Sequence, residues 1–265
     1  MLLLTASFTN QTIRCAIGLA LFSIPAAYAG TVYATGFEST DAPPYTLGAL
    51  AGQNGWQEFN SALSTVENSF VFAGSQAVFV NGNTSNLQAG PYHFDSPAGP
   101  LIDLSAEIYI ASGAEGTWQF AATGPNLTGY LGGIDLVPTN SAGGLTDDIN
   151  LISGAFPVVG TFNLNVWNNV DFLFNMTAQT YSFSLNGTLL APGAAFCGTK
   201  GACTGANVPV YADSFFDVFG NTADTDAGYM DNFGLANVAG VPEPCSLLLF
   251  GSGLALLIRR NLASH

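Results

Sequence analysis

Between Asn169 and Leu190 the chain alternates its side chains two by two around an Asn-Gly pair, a pattern compatible with very few local structures. Val170, Phe172 and Phe174 fall on one face, and Asn169, Asp171, Leu173 and Asn175 on the other. Tyr181, Phe183 and Leu185 then alternate with Ser182 and Ser184, and Asn186-Gly187 leads directly into Thr188, Leu189 and Leu190. Successive side chains of a strand point to opposite faces, so this alternation predicts half-buried strands. Asn-Gly readily adopts the positive φ angles of a two-residue turn, so the strands are expected to form a hairpin.

The same period recurs upstream, where Leu104, Ala106, Ile108 and Ile110 alternate with Ser105, Glu107 and Tyr109. Further strands are expected at Phe70–Ala73, Ala77–Val80, Trp118–Ala121, Phe215–Phe219 and Tyr229–Leu235. Composition points the same way. Only 8% of the 265 residues are charged, whereas Gly (31) and Phe (20) are abundant. Side-chain ion pairs that support helices are therefore scarce, and strands joined by Gly, Asn and Pro turns are favoured. Regular short strands from residue 30 to 240 predict a single all-β, antiparallel two-sheet sandwich.

Both ends have a different texture. Met1 to Ala29 reads as a secretory signal: Arg14 closes the polar region, Cys15 to Ile24 is apolar, and Ala27-Tyr28-Ala29 supplies a small-x-small site. Cleavage is expected between Ala29 and Gly30. At the other end, Val241-Pro242-Glu243-Pro244 precedes the apolar residues 246–258 and the pair Arg259-Arg260. The prolines cannot donate ladder or helix hydrogen bonds, which keeps that peptide extended for a protease cleft. The Leu, Ile and Phe side chains favour membrane insertion by roughly 3 to 4 kcal/mol together. Two glycines and two serines oppose it, and 13 residues rise only ~20 Å as a helix, short of the ~30 Å hydrocarbon core.

This order of motif, short apolar segment and terminal Arg pair resembles the PEP-CTERM sorting signal. The resemblance covers residues 241–265 and implies processing by an exosortase, a membrane-embedded cysteine transpeptidase-like protease of Gram-negative bacteria that make extracellular polysaccharide. It assigns Pro242, Glu243 and Pro244 to recognition and Arg259 and Arg260 to the stop signal. The expected itinerary is export, transient anchoring in the inner membrane, and release to the cell surface or exterior. Three segments of the exported part, Gly52 to Trp56, Trp167 to Gly187 and Gly228 to Phe233, resemble concanavalin A-like jelly-roll domains. That resemblance implies a two-sheet jelly roll of the lectin and glucanase type, able to hold a carbohydrate.

Candidate chemistry is sparse. Of the 18 acidic residues only Glu243 falls outside residues 30–240, and of the four basic residues only Lys200 falls inside. Such a surface repels nucleic acid and anionic membranes. Cys197 and Cys203 flank a five-residue loop in an exported chain, which predicts a disulfide contributing about 2 to 3 kcal/mol. Zinc would need more soft ligands than His93 supplies. Asp224, Asp226 and Asp231, with Asp213 and Asp217 upstream, carry the oxygen donors calcium prefers, although their spacing fits no standard calcium loop. Asp147-Asp148 reads as a turn, and His93, in Pro91-Tyr92-His93-Phe94, as a structural turn residue. Trp56, Trp118 and Trp167 can stack on sugar rings, but as strand aromatics they are expected in the core.

No hydrolytic triad is in view, and Glu107 and Asp171 lack carboxylate neighbours at two-residue spacing. The expectation is a non-enzymatic surface or matrix protein, with exosortase and extracellular polysaccharide as partners. The rival reading is a secreted polysaccharide hydrolase or lyase whose carboxylates converge from separate strands.

Overall fold

A computed structural model describes residues 30–59, 64–81, 90–95, 97, 99–111, 116–123, 130–137, 146–153, 157–196, 211–218 and 227–238. Sixteen strands follow one another: β1 Gly30–Thr35, β2 Gly48–Ala49, β3 Gln57–Phe59, β4 Ser64–Glu67, β5 Ala77–Asn81, β6 Gly90–Asp95, β7 Leu101–Ile110, β8 Thr117–Thr123, β9 Tyr130–Val137, β10 Thr146–Leu151, β11 Val158–Asn163, β12 Asn168–Asn175, β13 Thr180–Leu185, β14 Thr188–Ala195, β15 Tyr211–Val218 and β16 Ala227–Val238. Among the described residues there is no helix. The signal segment, residues 241–265, Cys197 and Cys203 all lie outside the described residues.

The strands form two antiparallel sheets, one of nine strands in the order β14-β13-β12-β7-β16-β5-β4-β2 with β1 also on β16, and one of seven in the order β11-β10-β9-β8-β15-β6-β3. This is the expected jelly-roll sandwich. β16 carries two partners in succession along one edge, Ala227–Met230 pairing with β5 and Phe233–Asn237 with β1. A bulge between Asp231 and Gly234 separates the two halves, with Asn232 at φ 47°. The extra residue lets the strand change partners without flipping its faces.

The core lies between the sheets. Leu104, Ala106, Ile108, Ile110, Val170, Phe172, Phe174 and Phe183 come from the nine-stranded sheet, and Trp118, Phe120, Ile134, Leu136, Ile149 and Phe162 from the other, all buried. Phe120 stacks on Phe172 across the gap at 5.9 Å. Tyr181 ties the layers further, its hydroxyl donating to the Ile152 carbonyl at 2.9 Å and approaching that of Gly133 at 3.3 Å. Gly132 makes this possible, because a Cβ there would lie 2.6 Å from the Tyr181 ring. At the expected hairpin Asn186 and Gly187 both have positive φ, 50° and 74°, the geometry that twists with its flanking strands.

Three local expectations are corrected. Phe70–Ala73 is no strand, since side-chain carboxylates take the amides of Phe70, Phe72 and Ala73 before any ladder can. His93 sits on β6 and Asp148 on β10, not in turns.

Candidate functional site

The nine-stranded sheet buries one face and leaves the other half open, as the strict alternation of buried and intermediate residues along β7 shows. Register places neighbours on that outer face. Ser184, Asp171 and Ser105 form one row, Ser182, Leu173 and Asp103 the next, and Asn169, Glu107 and Asp231 lie on the other side of the first. Tyr109, Tyr229 and Phe79 form the row beyond them, across β7, β16 and β5. The centre of the seven-stranded sheet differs: its outward Gln119, Ala121, Thr123 and Asp135 are all buried.

The aromatic row is capped by the segment following β4. Phe70 meets Tyr109 edge-on at 4.6 Å and Tyr229 at 4.8 Å, and stacks on Trp167 at 5.6 Å with 13° between the planes. Phe72 lies 5.7 Å from Trp167 and stays 46% exposed. Trp167 is half-buried, so part of its indole stays open to solvent beside Phe72.

Three carboxylates hold that segment by its backbone. Glu67 accepts the Phe70 amide at 2.9 Å and the Ser69 amide at 3.1 Å. Asp231, wholly buried, accepts the amides of Phe72 and Ala73, each at 3.1 Å, through one oxygen and that of Asn232 at 2.7 Å through the other. Glu38 takes the Ser75 amide at 2.7 Å and the Gln76 amide at 3.1 Å. Amides fixed by charged acceptors are held more firmly than by water, which sets the position of both phenylalanines.

Below the ridge the strip turns acidic. Glu107 accepts from Asn169 at 3.1 Å, while Asp103 and Asp171 accept no hydrogen bond from any described residue. Burial, and then the Asp171 charge, push the Asp103 carboxyl up to about 6. Burial also raises Asp171 and Glu107, in Glu107 against the Asn169 hydrogen bond and with help from Asp231. Burial raises Asp231 itself although the backbone amides oppose it.

The other candidates fall elsewhere. Trp56 and Trp118 are core residues. The Trp56 indole donates to the hydroxyls of Tyr33 at 2.9 Å and Tyr45 at 3.0 Å, and the two phenols hydrogen-bond to each other. His93 is buried beside them, stacked on Tyr33 at 4.0 Å, with Nδ1 2.8 Å from Asp95 and Nε2 3.0 Å from the Asn54 carbonyl. That carbonyl can only accept, so Nε2 carries a proton, and both nitrogens are committed to structure. The cleft lined by Tyr33, Thr35, Asp41, Pro43 and Asn54 has about 100 Å³, room for a few waters rather than a sugar. Asp231 joins the loop clamp. Asp224 and Asp226 lie outside the described residues, and the side chains of Asp213, Asp217 and Asp147 are not described. Among the described residues no three His, Cys, Asp or Glu side chains gather as a metal site.

Trp167 is the sequence candidate that reaches the site; Glu107 and Asp171, which their spacing set aside, lie there too. Asp103, Phe70, Phe72 and Tyr229 were not marked as site residues. Asp103 carried one usable signal, its place four residues before Glu107 on the polar side of an alternating strand.

No family model matches the chain, and no curated protein matches it. Among solved structures a sialidase overlays 80% of the chain at a TM-score of 0.55 and 11% identity, and the chain spans 19% of the sialidase's length. The CBM22-1 xylan-binding domain of Paenibacillus barcinonensis is 12% identical at a TM-score of 0.39, over 82% of this chain and 99% of its own. Cellulose induced protein Cip1 is 13% identical at 0.46, over 78% and 97%. At these identities the likeness is one of fold alone, a two-sheet jelly-roll sandwich.

Proposed function

We propose that the chain is an exported surface or matrix protein, processed at Pro242-Glu243-Pro244 by an exosortase, whose sandwich (residues 30–240) binds extracellular polysaccharide without catalysis. The observation that carries the binding half is the outer strip of the nine-stranded sheet. A half-exposed aromatic ridge at Trp167, Phe70 and Phe72 continues into carboxylates, serines and an asparagine. Sugar rings offer apolar C–H faces and a rim of hydroxyls, and this strip supplies half-exposed aromatics beside hydrogen-bond acceptors. The sorting half draws on the order of motif, apolar segment and Arg pair at the C-terminus.

Affinity electrophoresis of the full chain in gels containing the host's exopolysaccharide tests binding. Retardation of the wild type and its loss in Trp167→Ala are expected, and equal mobility with and without polysaccharide refutes the reading.

One observation favours hydrolysis as a second reading: Asp103, raised to about 6, stands diagonally across from Asp171 on the neighbouring strand. A proton-bearing carboxyl beside an ionised one is the pairing glycosidases use. Reducing-end release from the same polysaccharide, abolished in Asp103→Asn, is the result that would establish it.

A further inference from the structure

We propose that the strip selects a glycan bearing free amino groups, an amino-sugar polymer with unacetylated nitrogens. The inference rests on the polysaccharide reading above and adds the ligand's class.

The first ground is shape. Tyr109 and Asp103 lie six residues apart on β7, so ridge and acidic end are ~20 Å apart at ~3.4 Å per residue. A strip of that length, open along one sheet face, suits a chain of several sugar units better than a single ring.

The second ground is charge. Glu107, Asp171 and Asp103 follow one another along the strip, each partly withdrawn from water. Among the described residues none of the three carboxylates meets a basic group, the His93–Asp95 contact lying elsewhere. Carboxylates in this condition gain from an ammonium group that supplies both a donor and a counter-charge. A uronic-acid polymer would instead add like charge to a chain whose exported part has a single basic residue, Lys200. A neutral glycan can use the ridge but leaves the carboxylates as they are.

The third ground is the ridge itself. The exposed part of Trp167, which also packs on Phe70 and Phe72, and the 46% exposed Phe72 can attract both the C–H side of a pyranose and a nearby ammonium. A basic peptide shares the charge but has no flat ring to lay on Trp167, which is why the occupant is assigned as a sugar.

Calorimetric titration of the full chain in mild detergent tests this with four probes: a glucosamine hexamer with free amines, its N-acetylated counterpart, a galacturonate hexamer and hexalysine. The free-amine hexamer should bind about tenfold tighter than the acetylated one at low salt, with the gap closing as salt rises. Asp103→Asn/Asp171→Asn should erase the gap, and Trp167→Ala should weaken binding of both hexamers. Urea midpoints confirm that each variant is folded. Equal binding of the two sugar hexamers, a gap that survives in the double variant, or hexalysine binding as tightly as the free-amine hexamer each overturns the amino-sugar assignment. Preference for galacturonate overturns it too, while preserving the polysaccharide reading. Failure of every probe in the titration, together with failure of the exopolysaccharide gel, removes the polysaccharide reading itself.

Discussion

Replacing Asp103 by Asn should stabilise the protein at neutral pH, because the wild-type carboxylate is held on the sheet at a cost. Its carboxyl rises from 3.8 to about 6, first through burial and then through the Asp171 charge. The folded state therefore binds a proton more readily than the unfolded chain. Stability contributed by this proton is complete below the unfolded value, falls as pH rises between about 4 and 6, and is gone above. Two decades of shift correspond to about 3 kcal/mol at full weight. Asp103 is only half withdrawn from solvent, however, and screening by water and salt reduces the figure to about 1 kcal/mol. Asn has nearly the same volume and no charge, so Asp103→Asn should gain ~1 kcal/mol at pH 7.5 and little at pH 3.5. On a chain of this size that is a rise of about 2 to 4 °C in Tm. Urea denaturation of both proteins across that pH range measures it. A variant less stable than wild type at pH 7.5, or a gain of equal size at pH 3.5, would show that the carboxylate is not strained by its surroundings.

Four other outcomes are expected. Gly74→Ala places a Cβ 2.0 Å from a Glu38 oxygen at φ 69°, so thermal unfolding should show a loss of roughly 1 to 3 kcal/mol and quenching of Trp167 fluorescence should rise as the loop is displaced. Phe172→Ala empties the centre of the inter-sheet stack and should cost about 3 to 5 kcal/mol by urea titration. Glu243→Ala should leave an uncut, membrane-retained precursor in the native host; identical surface product from both strains on an immunoblot would remove the sorting reading. Mass spectrometry without reductant should find Cys197 and Cys203 bridged and Gly30 as the first residue, and free thiols or a retained apolar leader would contradict those two expectations separately.

Legibility in the sequence followed the range of the interactions. β7 and the β13–β14 hairpin were plain because alternation and an Asn-Gly turn are local signals, each written within ten residues. Phe70-Val71-Phe72 carries the composition of a strand, yet its conformation is decided by Glu67 nearby and by Asp231, 159 positions from Phe72. No window can contain that competition. His93 looked like a turn residue because its partners, Asn54 and Tyr33, arrive from other strands and loops. The site was half visible for the same reason. Glu107 and Asp171 each stood alone in sequence, and only the pairing of β7 with both β12 and β16 brings Asp103, Asp171, Glu107 and Asp231 onto one face.

That pairing also orients the strip. Gly30 pairs with Asn237, and Leu101 with Val238, so both ends of the sandwich leave from the end of the sheet that carries Asp103. The aromatic ridge lies at the opposite end, where Tyr109 pairs with Tyr229. The two ends of the strip stand ~20 Å apart, the rise of β7 between them. The same β7 and β16 that build the core thus give the proposed binding strip its direction, with the chain entering and leaving the sandwich at its acidic end.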